Sequence, residues 1–455
     1  MKPVSDRVLH VPFTYFPDAI GGTEVYVNAL VGELRGHGYT SYIAAPSSVA
    51  SRYIYNDVQV LRFATDPRPR LELAYGVPDA IAASNFAAVL EELKPAIVHL
   101  HARTSAISEQ VVDIAHASGA RVVFTYHTPT VSCARGTMMS FGKSPCDGLI
   151  SKRHCVACAL NGNGVPRTIA EFVARLPDSA LATAAVIGNL SAILSQIRSP
   201  FLIASQRQRF LNLMSKVDHI VAVCEWVRNV LLTNGINASK MTLSRQGVSV
   251  APPAPPAPSA ERSRSGKLRI AYFGRIDRAK GPDLLAEALQ NVTAENIAID
   301  IYAVRQHGSE RDYDALVAFA CKDNRLTLRP AVAVDQVQAT MSQYDLVAVP
   351  SRWLETGPLV VLEAFAAGVP IMGADLGGIA ELVHDGIDGI LVSPDDVAAW
   401  SQALTQAASD TGKIDQMRAN VRPPRTMAAV ALDMARLYAS LAVPPPIDAK
   451  HTFAA

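Results

Sequence analysis

Short apolar runs rich in Val, Ile and Tyr alternate along this chain with longer stretches in which apolar residues recur every three or four positions. In the first half, RVLHVPF (7–13), TSYIAAP (40–46), AIVHLHA (96–102), RVVFTYH (121–127) and HIVAV (219–223) predict strands, with TEVYVNALVGELRGHG (23–38) and DAIAASNFAAVLEELK (79–94) as helices between them. The second half repeats the alternation. LRIAYFG (268–274), IAIDIYA (297–303), YDLVAVP (344–350), VPIMGAD (369–375) and GILVS (389–393) predict strands, and GPDLLAEALQ (281–290), PLVVLEAFAAG (358–368) and IAELVHDG (379–386) helices. Strands that are apolar on both faces and alternate with helices predict parallel sheets of Rossmann type, here twice. Such sheets bind ligands beyond the carboxyl ends of their strands, so two of them point their loops at one central cleft.

The break between the halves is VAPPAPPAPSAERSRSG, where five prolines within residues 250–266 leave little to bury and favour an extended linker. The predicted organisation is a first domain over 1–249 with a cysteine-rich insert at about 130–165, the linker at 250–266, and a second domain over 267–425. A C-terminal helix and tail, 426–455, is expected to pack back on the first domain. A length of 455 residues suits two cores better than one.

Charge narrows the partners. The 42 Lys and Arg against 41 Asp and Glu leave a net +1, which argues against a nucleic-acid backbone as partner. The first 250 residues carry 23 basic and 17 acidic side chains and the rest 19 and 24. A mildly basic first half suits an anionic ligand or an anionic membrane surface, and equally an ordinary variation of surface charge. No secretory pattern opens the sequence, so a cytoplasmic protein is expected. The uncharged segment 179–197 is long enough to span a bilayer, but its Asn, Gln, Gly and Ser residues favour a buried or membrane-lying helix.

Candidate chemistry concentrates in RWLETGPLVVLE (352–363). Pro358 favours a first helical turn, which leaves Glu355 in the preceding loop and Glu363 within the helix. The amides of Gly357, Leu359 and Val360 then form an anion pocket at the positive end of that helix. A phosphate-binding helix start flanked by carboxylates able to take two hydrogen bonds from a diol describes a site for a nucleotide bearing sugars. In YFGRIDRAKG (272–281), Arg275 and Lys280 follow a strand end and can neutralise a diphosphate. Four of the six cysteines, Cys133, Cys146, Cys155 and Cys158, fall in the insert, where a structural zinc and unligated thiols both suit the spacing. Cys224 and Cys321 lie in apolar runs and are expected in the core. The one DxD triplet, at Asp312 and Asp314, reads as acids capping a helix start rather than a metal site.

Taken in order, IGGTEVYVNALVGELRGHGY, HLHA, FTYHTP, HIVAVCEWVRNVL, GRIDRAKG, ETGPLVVLE and EAFAAGVPIMGADLGGIAELVHDGIDGILVSPDD resemble retaining glycosyltransferases of family 4, which have the GT-B fold: two Rossmann-like domains facing a cleft. The resemblance implies a nucleotide-sugar donor, UDP- or GDP-linked, and a glycan or lipid-linked acceptor, with no cofactor required for catalysis. It places Arg275 and Lys280 on the donor diphosphate, Glu363 on the ribose hydroxyls and Glu355 on the transferred sugar. Gly21 and Gly22 let the backbone approach the donor, and His127 lies beside the anomeric centre. It also implies a role in polysaccharide or glycoconjugate synthesis, while the basic first half and the uncharged segment 179–197, followed by Arg198, Arg207 and Arg209, suit work at the inner membrane face. Departures are Cys224, where the family more often has Ser, and RQGV (245–248), where Asn before the glycine is usual. A nucleotide-sugar epimerase, a silent donor-binding subunit and a nucleic-acid-binding zinc module are the rival readings. Intact Glu355, Glu363, Arg275 and Lys280 count against the silent subunit.

Overall fold

The structure is a computed structural model that describes residues 6–18, 21–68, 70–188, 198–249, 266–306 and 308–442. The linker anticipated at 250–266 lies, apart from Gly266, outside the described residues. So do 189–197 of the uncharged segment and 443–455 of the tail.

The first sheet is built from β1 (Arg7–Val11), β2 (Thr40–Ser47), β3 (Ser51–Tyr55), β4 (Val58–Ala64), β5 (Ile97–Leu100) and β6 (Arg121–Tyr126). A two-stranded hairpin, β7 (Met139–Ser140) and β8 (Ser144–Pro145), sits in the insert, and β9 (His219–Ala222) and β10 (Met241–Leu243) complete the sheet in the order β10-β9-β6-β5-β1-β2-β4-β3. Within this eight-stranded sheet all pairs are parallel except β3–β4, a hairpin the sequence pattern did not predict. Asn56 and Asp57, both at positive φ, make its two-residue turn. The second sheet comprises β11 (Leu268–Arg275), β12 (Ile297–Val304), β13 (Leu326–Arg329), β14 (Leu346–Val349), β15 (Ile371–Ala374) and β16 (Gly389–Val392), ordered β13-β12-β11-β14-β15-β16 and parallel throughout. Strands such as β5, β14 and β15 are buried at every residue, as helices on both faces require.

Met427–Ala442 is a helix whose Met427, Val430, Met434 and Tyr438 enter the core beneath β1, against Tyr26, Val27 and Leu30 of the helix Gly22–Leu34. The spacing of three to four residues keeps those side chains on one face. The chain thus returns to the first domain, and its return runs beside the outgoing segment: Val248 and Met427 exchange backbone bonds with Arg425 and Val248 at 3.0 and 2.8 Å.

One expected helix is shortened. IAELVHDG yields only Gly377–Ala380, because Asp388 takes the amide of His384 at 2.7 Å and lies 2.9 Å from its Nδ1, offering the backbone a partner other than the helix. Cys321 also departs from expectation. It is exposed on the helix Glu310–Lys322, of which only Leu316 is fully buried, whereas Cys224 is buried as anticipated.

Candidate active site

Beyond β14 the chain turns through Ser351–Pro358 and enters the helix Leu359–Ala366, with Pro358 at its N-cap. Glu355 is buried in that loop. Its Oε1 accepts from Lys280 Nζ at 2.7 Å, Ser351 Oγ at 2.8 Å and Trp353 Nε1 at 2.5 Å. Its backbone carbonyl accepts from Gly378 N and Trp226 Nε1, both at 2.7 Å. The loop can lie this close to Gly378 only because that residue has no side chain: a Cβ there would fall 2.6 Å from Gly357 N. Leu359 and Val360 are first-turn residues, whose amides have no acceptor within the helix.

Arg275 ends β11. Its guanidinium is loosely held, Nη1 3.5 Å from Gln306 Oε1 and Nη2 3.6 Å from Asp277 Oδ2. A tight turn follows, Asp277 accepting from Ala279 N at 2.8 Å, and it ends in Gly281 at φ +73°, where a Cβ would sit 2.1 Å from Pro350 O. This glycine lets the Arg275–Lys280 turn press against the end of β14. Lys280, anticipated on a diphosphate, is in this state the partner of Glu355, with its Nζ 4.9 Å from the Trp353 ring centre.

Glu363 lies within the helix, partly open to solvent, and burial among its neighbours pushes its carboxyl up to about 7. Among the described residues it has no hydrogen-bond or ion-pair partner. Gln246, from the RQGV departure, is buried beside Gly357 with its Oε1 unpartnered among the described residues.

On the facing wall, Gly22 opens the helix Gly22–Leu34, and a Cβ on it would touch Leu359 at 3.5 Å, so the glycine loop and the donor-side helix start are neighbours. Gly21 is the N-cap in extended conformation. The sequence reading missed Glu24. Its carboxyl is buried; burial raises its pKa, while backbone donors, Thr14 and Gly21 among them, and then the Arg275 charge oppose the rise. The signal was available, an acid in the first turn of a helix that follows two glycines. His127 is buried just after β6, its carbonyl accepting from Thr356 Oγ1 of the second domain at 2.5 Å and its ring edge-on to Tyr26. Arg275 and Glu24, Thr356 and His127, and Leu359 and Gly22 therefore bring the two sets of strand ends together.

A second junction lies nearby. Glu381 reaches the N-terminus of the helix Glu225–Thr233, accepting from the amides of Glu225 and Trp226 at 2.8 and 2.9 Å and from Arg245 at 2.7 Å. A carboxylate at a helix start is stabilised by the open amides.

The cysteine insert covers this region, with Thr137 O accepting from Leu354 N at 3.1 Å. All four thiols are free, and Cys158 Sγ accepts from Phe141 N at 3.2 Å. Burial first, and then the neighbouring thiols, push Cys155 up to about 12 and raise Cys158, while burial and then the Asp147 charge raise Cys146. The four are gathered, but not at zinc spacing: among the described residues only His10, His99 and His101 bring three ligand atoms within 4.8 Å of one another. Asp312 and Asp314 lie in the helix Glu310–Lys322, with Asp312 in its first turn.

The family model described as "Glycosyl transferases group 1" matches residues 267–410, and that described as "Glycosyltransferase Family 4" matches 20–152. A D-inositol 3-phosphate glycosyltransferase of Nocardia farcinica is 28% identical over 217 residues, 45% of this chain and 48% of its own length. One from Mycobacterium bovis is 31% identical over 193 residues, covering 41% and 39%. The chain thus spans less than half the length of these curated relatives. Among solved structures, sucrose-phosphate synthase from Thermosynechococcus elongatus superposes with a TM-score of 0.65 at 17% identity, over 96% of this chain and 99% of that one. Anabaena HepE in complex with UDP gives 0.63 at 14% identity, over 95% and 100%. At such identities the likeness is one of fold.

Proposed function

Because the chain belongs to the family 4 glycosyltransferases of GT-B fold, we propose that it moves a sugar from a UDP- or GDP-sugar to a glycan or lipid-linked acceptor, with retention of anomeric configuration. The observation that carries this reading is Glu363, a half-buried carboxylate with no partner among the described residues, one turn beyond the open amides of a helix that starts at the domain junction. A carboxylate in that state is completed by a ligand that donates two hydrogen bonds, as a ribose diol does. The amides of Leu359 and Val360 and the loosely held Arg275 supply what a diphosphate needs, and Arg275 would stabilise the charge growing on it as the glycosidic bond breaks. Glu355 and Lys280, paired, hold the loop on which the transferred sugar would rest. The UDP complex of the similarly folded Anabaena protein favours UDP.

Thermal shift with a panel of UDP- and GDP-sugars tests the donor, and the anomeric proton coupling of the product tests retention. A shift with one nucleotide series supports the reading. No shift with any member overturns it.

For the insert, a structural zinc requires the four sulfurs to close from the spacing they have here. About one zinc per chain by elemental analysis supports that closure, and four freely titrating thiols in the folded protein count against it. Among the described residues no helix is long and apolar enough to cross a membrane. Peripheral contact has a candidate in the helix Arg167–Arg175, which exposes Ile169 and Phe172 between its terminal arginines, and flotation with anionic against neutral liposomes tests it.

A further inference from the structure

Two half-buried arginines of the first domain carry charge that the protein leaves without a counter-ion. Arg103 stands in the loop between β5 and the helix Glu109–Ala117, and its Nη1 donates at 2.9 Å to the carbonyl of Val131, in the turn Pro129–Val131 that follows β6. Its Nη2 is buried without a partner, and its Nε makes no bond among the described residues. Arg209, on the helix Gln206–Lys216, donates from Nη1 to Ser205 Oγ at 2.6 Å and from Nη2 to the carbonyls of Leu202 and Tyr75 at 2.7 and 3.0 Å. Its Nε is likewise buried and unpartnered. All of these acceptors are neutral, and neither arginine forms an ion pair among the described residues.

The two guanidinium groups lie close enough to feel each other. Burial first and then the Arg209 charge bring Arg103 down to about 10, with Glu109 opposing them, and burial lowers Arg209 too, again against Glu109. Both stay cationic at neutral pH, so one acid beyond ion-pair range faces two cations. Arginine is rarely withdrawn from water without a partner. The neighbouring arginines do not share the shortage: Arg198 is paired with Glu72, and Arg68 and Arg70 with Asp66.

The open atoms also have a direction. The Nε and Nη2 hydrogens of a guanidinium point the same way, and that edge takes two oxygens of a carboxylate or phosphate at once. In Arg103 the whole edge is unused, while the bond from Nη1 to Val131 fixes the orientation of the group. Arg103 follows His101 by two residues and Val131 follows His127 by four, and the rings of these histidines lie 3.0 Å apart, so the fork lies beyond the carboxyl ends of β5 and β6. That end of the sheet meets the second domain through the bond from Thr356 Oγ1 to the His127 carbonyl. Every partner of Arg103 and Arg209 belongs to the first domain, whereas Arg275, Leu359 and Val360 belong to the second, so this place is separate from the one assigned to the diphosphate.

We propose that Arg103, with Arg209 beside it, binds an oxyanion, a phosphate or carboxylate group carried by the acceptor, so that the sugar is passed to an anionic acceptor. That the anion belongs to an acceptor rests on the glycosyl-transfer reading; the anion site does not.

Thermal shift of the full chain with inorganic phosphate, against chloride at equal ionic strength, tests the site. In Arg275→Ala, which blunts phosphate binding at the donor helix, phosphate should still raise Tm. Adding Arg103→Gln, which can still donate to Val131 but lacks the charge and the fork, should weaken the phosphate affinity about tenfold or more, the factor one charged hydrogen bond carries. If Arg103→Gln does not fold, Arg103→Lys, which keeps the charge but not the fork, and Arg209→Gln read the same loss. With the donor established, a neutral sugar, its phosphate ester, its uronic acid and a lipid-linked phosphate in detergent are compared as acceptors. The anionic members should exceed the neutral sugar about tenfold or more in kcat/KM, and Arg103→Gln should raise their KM about tenfold with donor KM unchanged. The ester against the uronic acid tells which oxyanion is bound, and the ester against the lipid-linked phosphate tells its source. Equal phosphate affinity with and without Arg103→Gln overturns the proposal. An active enzyme indifferent to acceptor charge also overturns it and leaves sugar transfer standing. Phosphate binding that depends on Arg103, in a chain that transfers no sugar, supports the site and sinks the functional reading.

Discussion

Around Glu355 the second domain converges three donors on one carboxylate oxygen, whereas across the junction the first domain buries four histidines whose bonds go to one another, a tyrosine and a threonine. One wall holds full charges in place with opposite charges and hydrogen bonds. The other keeps titratable groups neutral by excluding water. Under the proposed transfer a leaving diphosphate would draw its positive charge from the first of these walls, since the histidines of the second, kept neutral, carry none.

Removing Arg275 tests the charged wall hardest. Arg275→Ala should lower kcat on the order of 100-fold while donor KM moves little, because the charge it stabilises grows only as the bond breaks. Equal loss in kcat and in nucleotide binding would instead make Arg275 a simple docking group. Glu363→Gln keeps size and weakens one charged acceptor, so donor KM should rise about 10- to 150-fold, as for a hydrogen bond to a charged group worth about 1.5–3 kcal/mol. An unchanged KM in the folded variant would remove Glu363 from the donor site.

The same substitution sharpens the comparison through pH. With its carboxyl raised to about 7 in the folded protein, Glu363 holds its proton more tightly than in the unfolded chain, so its charged form opposes folding as pH rises through 7 and the cost disappears below the unfolded value. Glu363→Gln should therefore raise the Tm of the ligand-free protein at pH 8 and leave it unchanged at pH 4, a pattern thermal denaturation at the two pH values will show or refute. The smallest effect is expected at the second junction. Glu381→Gln keeps hydrogen-bond capacity but loses the charge at the helix start of Glu225–Thr233, which should cost about 0.3–1 kcal/mol of stability with kcat near wild type. A loss of activity larger than the loss of stability would make this contact part of domain closure.

Much of the frame was legible in the local pattern. The apolar strands fell within a residue or two of their predicted bounds, and Pro358 marked the start of the helix that carries Glu363. The Asn56–Asp57 turn was legible too, in an Asn-Asp pair between two apolar runs, yet went unread. The shortened helix at Gly377 was not, since the competitor for its backbone is an aspartate several residues further on.

By itself the sequence determined what depends on neighbours within a few residues: helix and strand periods, the helix start at Pro358, the tight turn at Gly281 and the order of motifs that marks the family. Tertiary structure alone decided which distant groups meet. Lys280 and Glu355 pair across 75 positions, and His10 reaches His101 and then His127 because parallel pairing sets their strands side by side. It also decided that Cys321 faces solvent and that Glu24 and Arg275 share one cleft. Local periodicity is written in backbone sterics and side-chain spacing, which act over one or two turns. Burial, ionisation and proton placement depend on what packs against a group from elsewhere in the chain, and that exists only once the two domains have folded against each other.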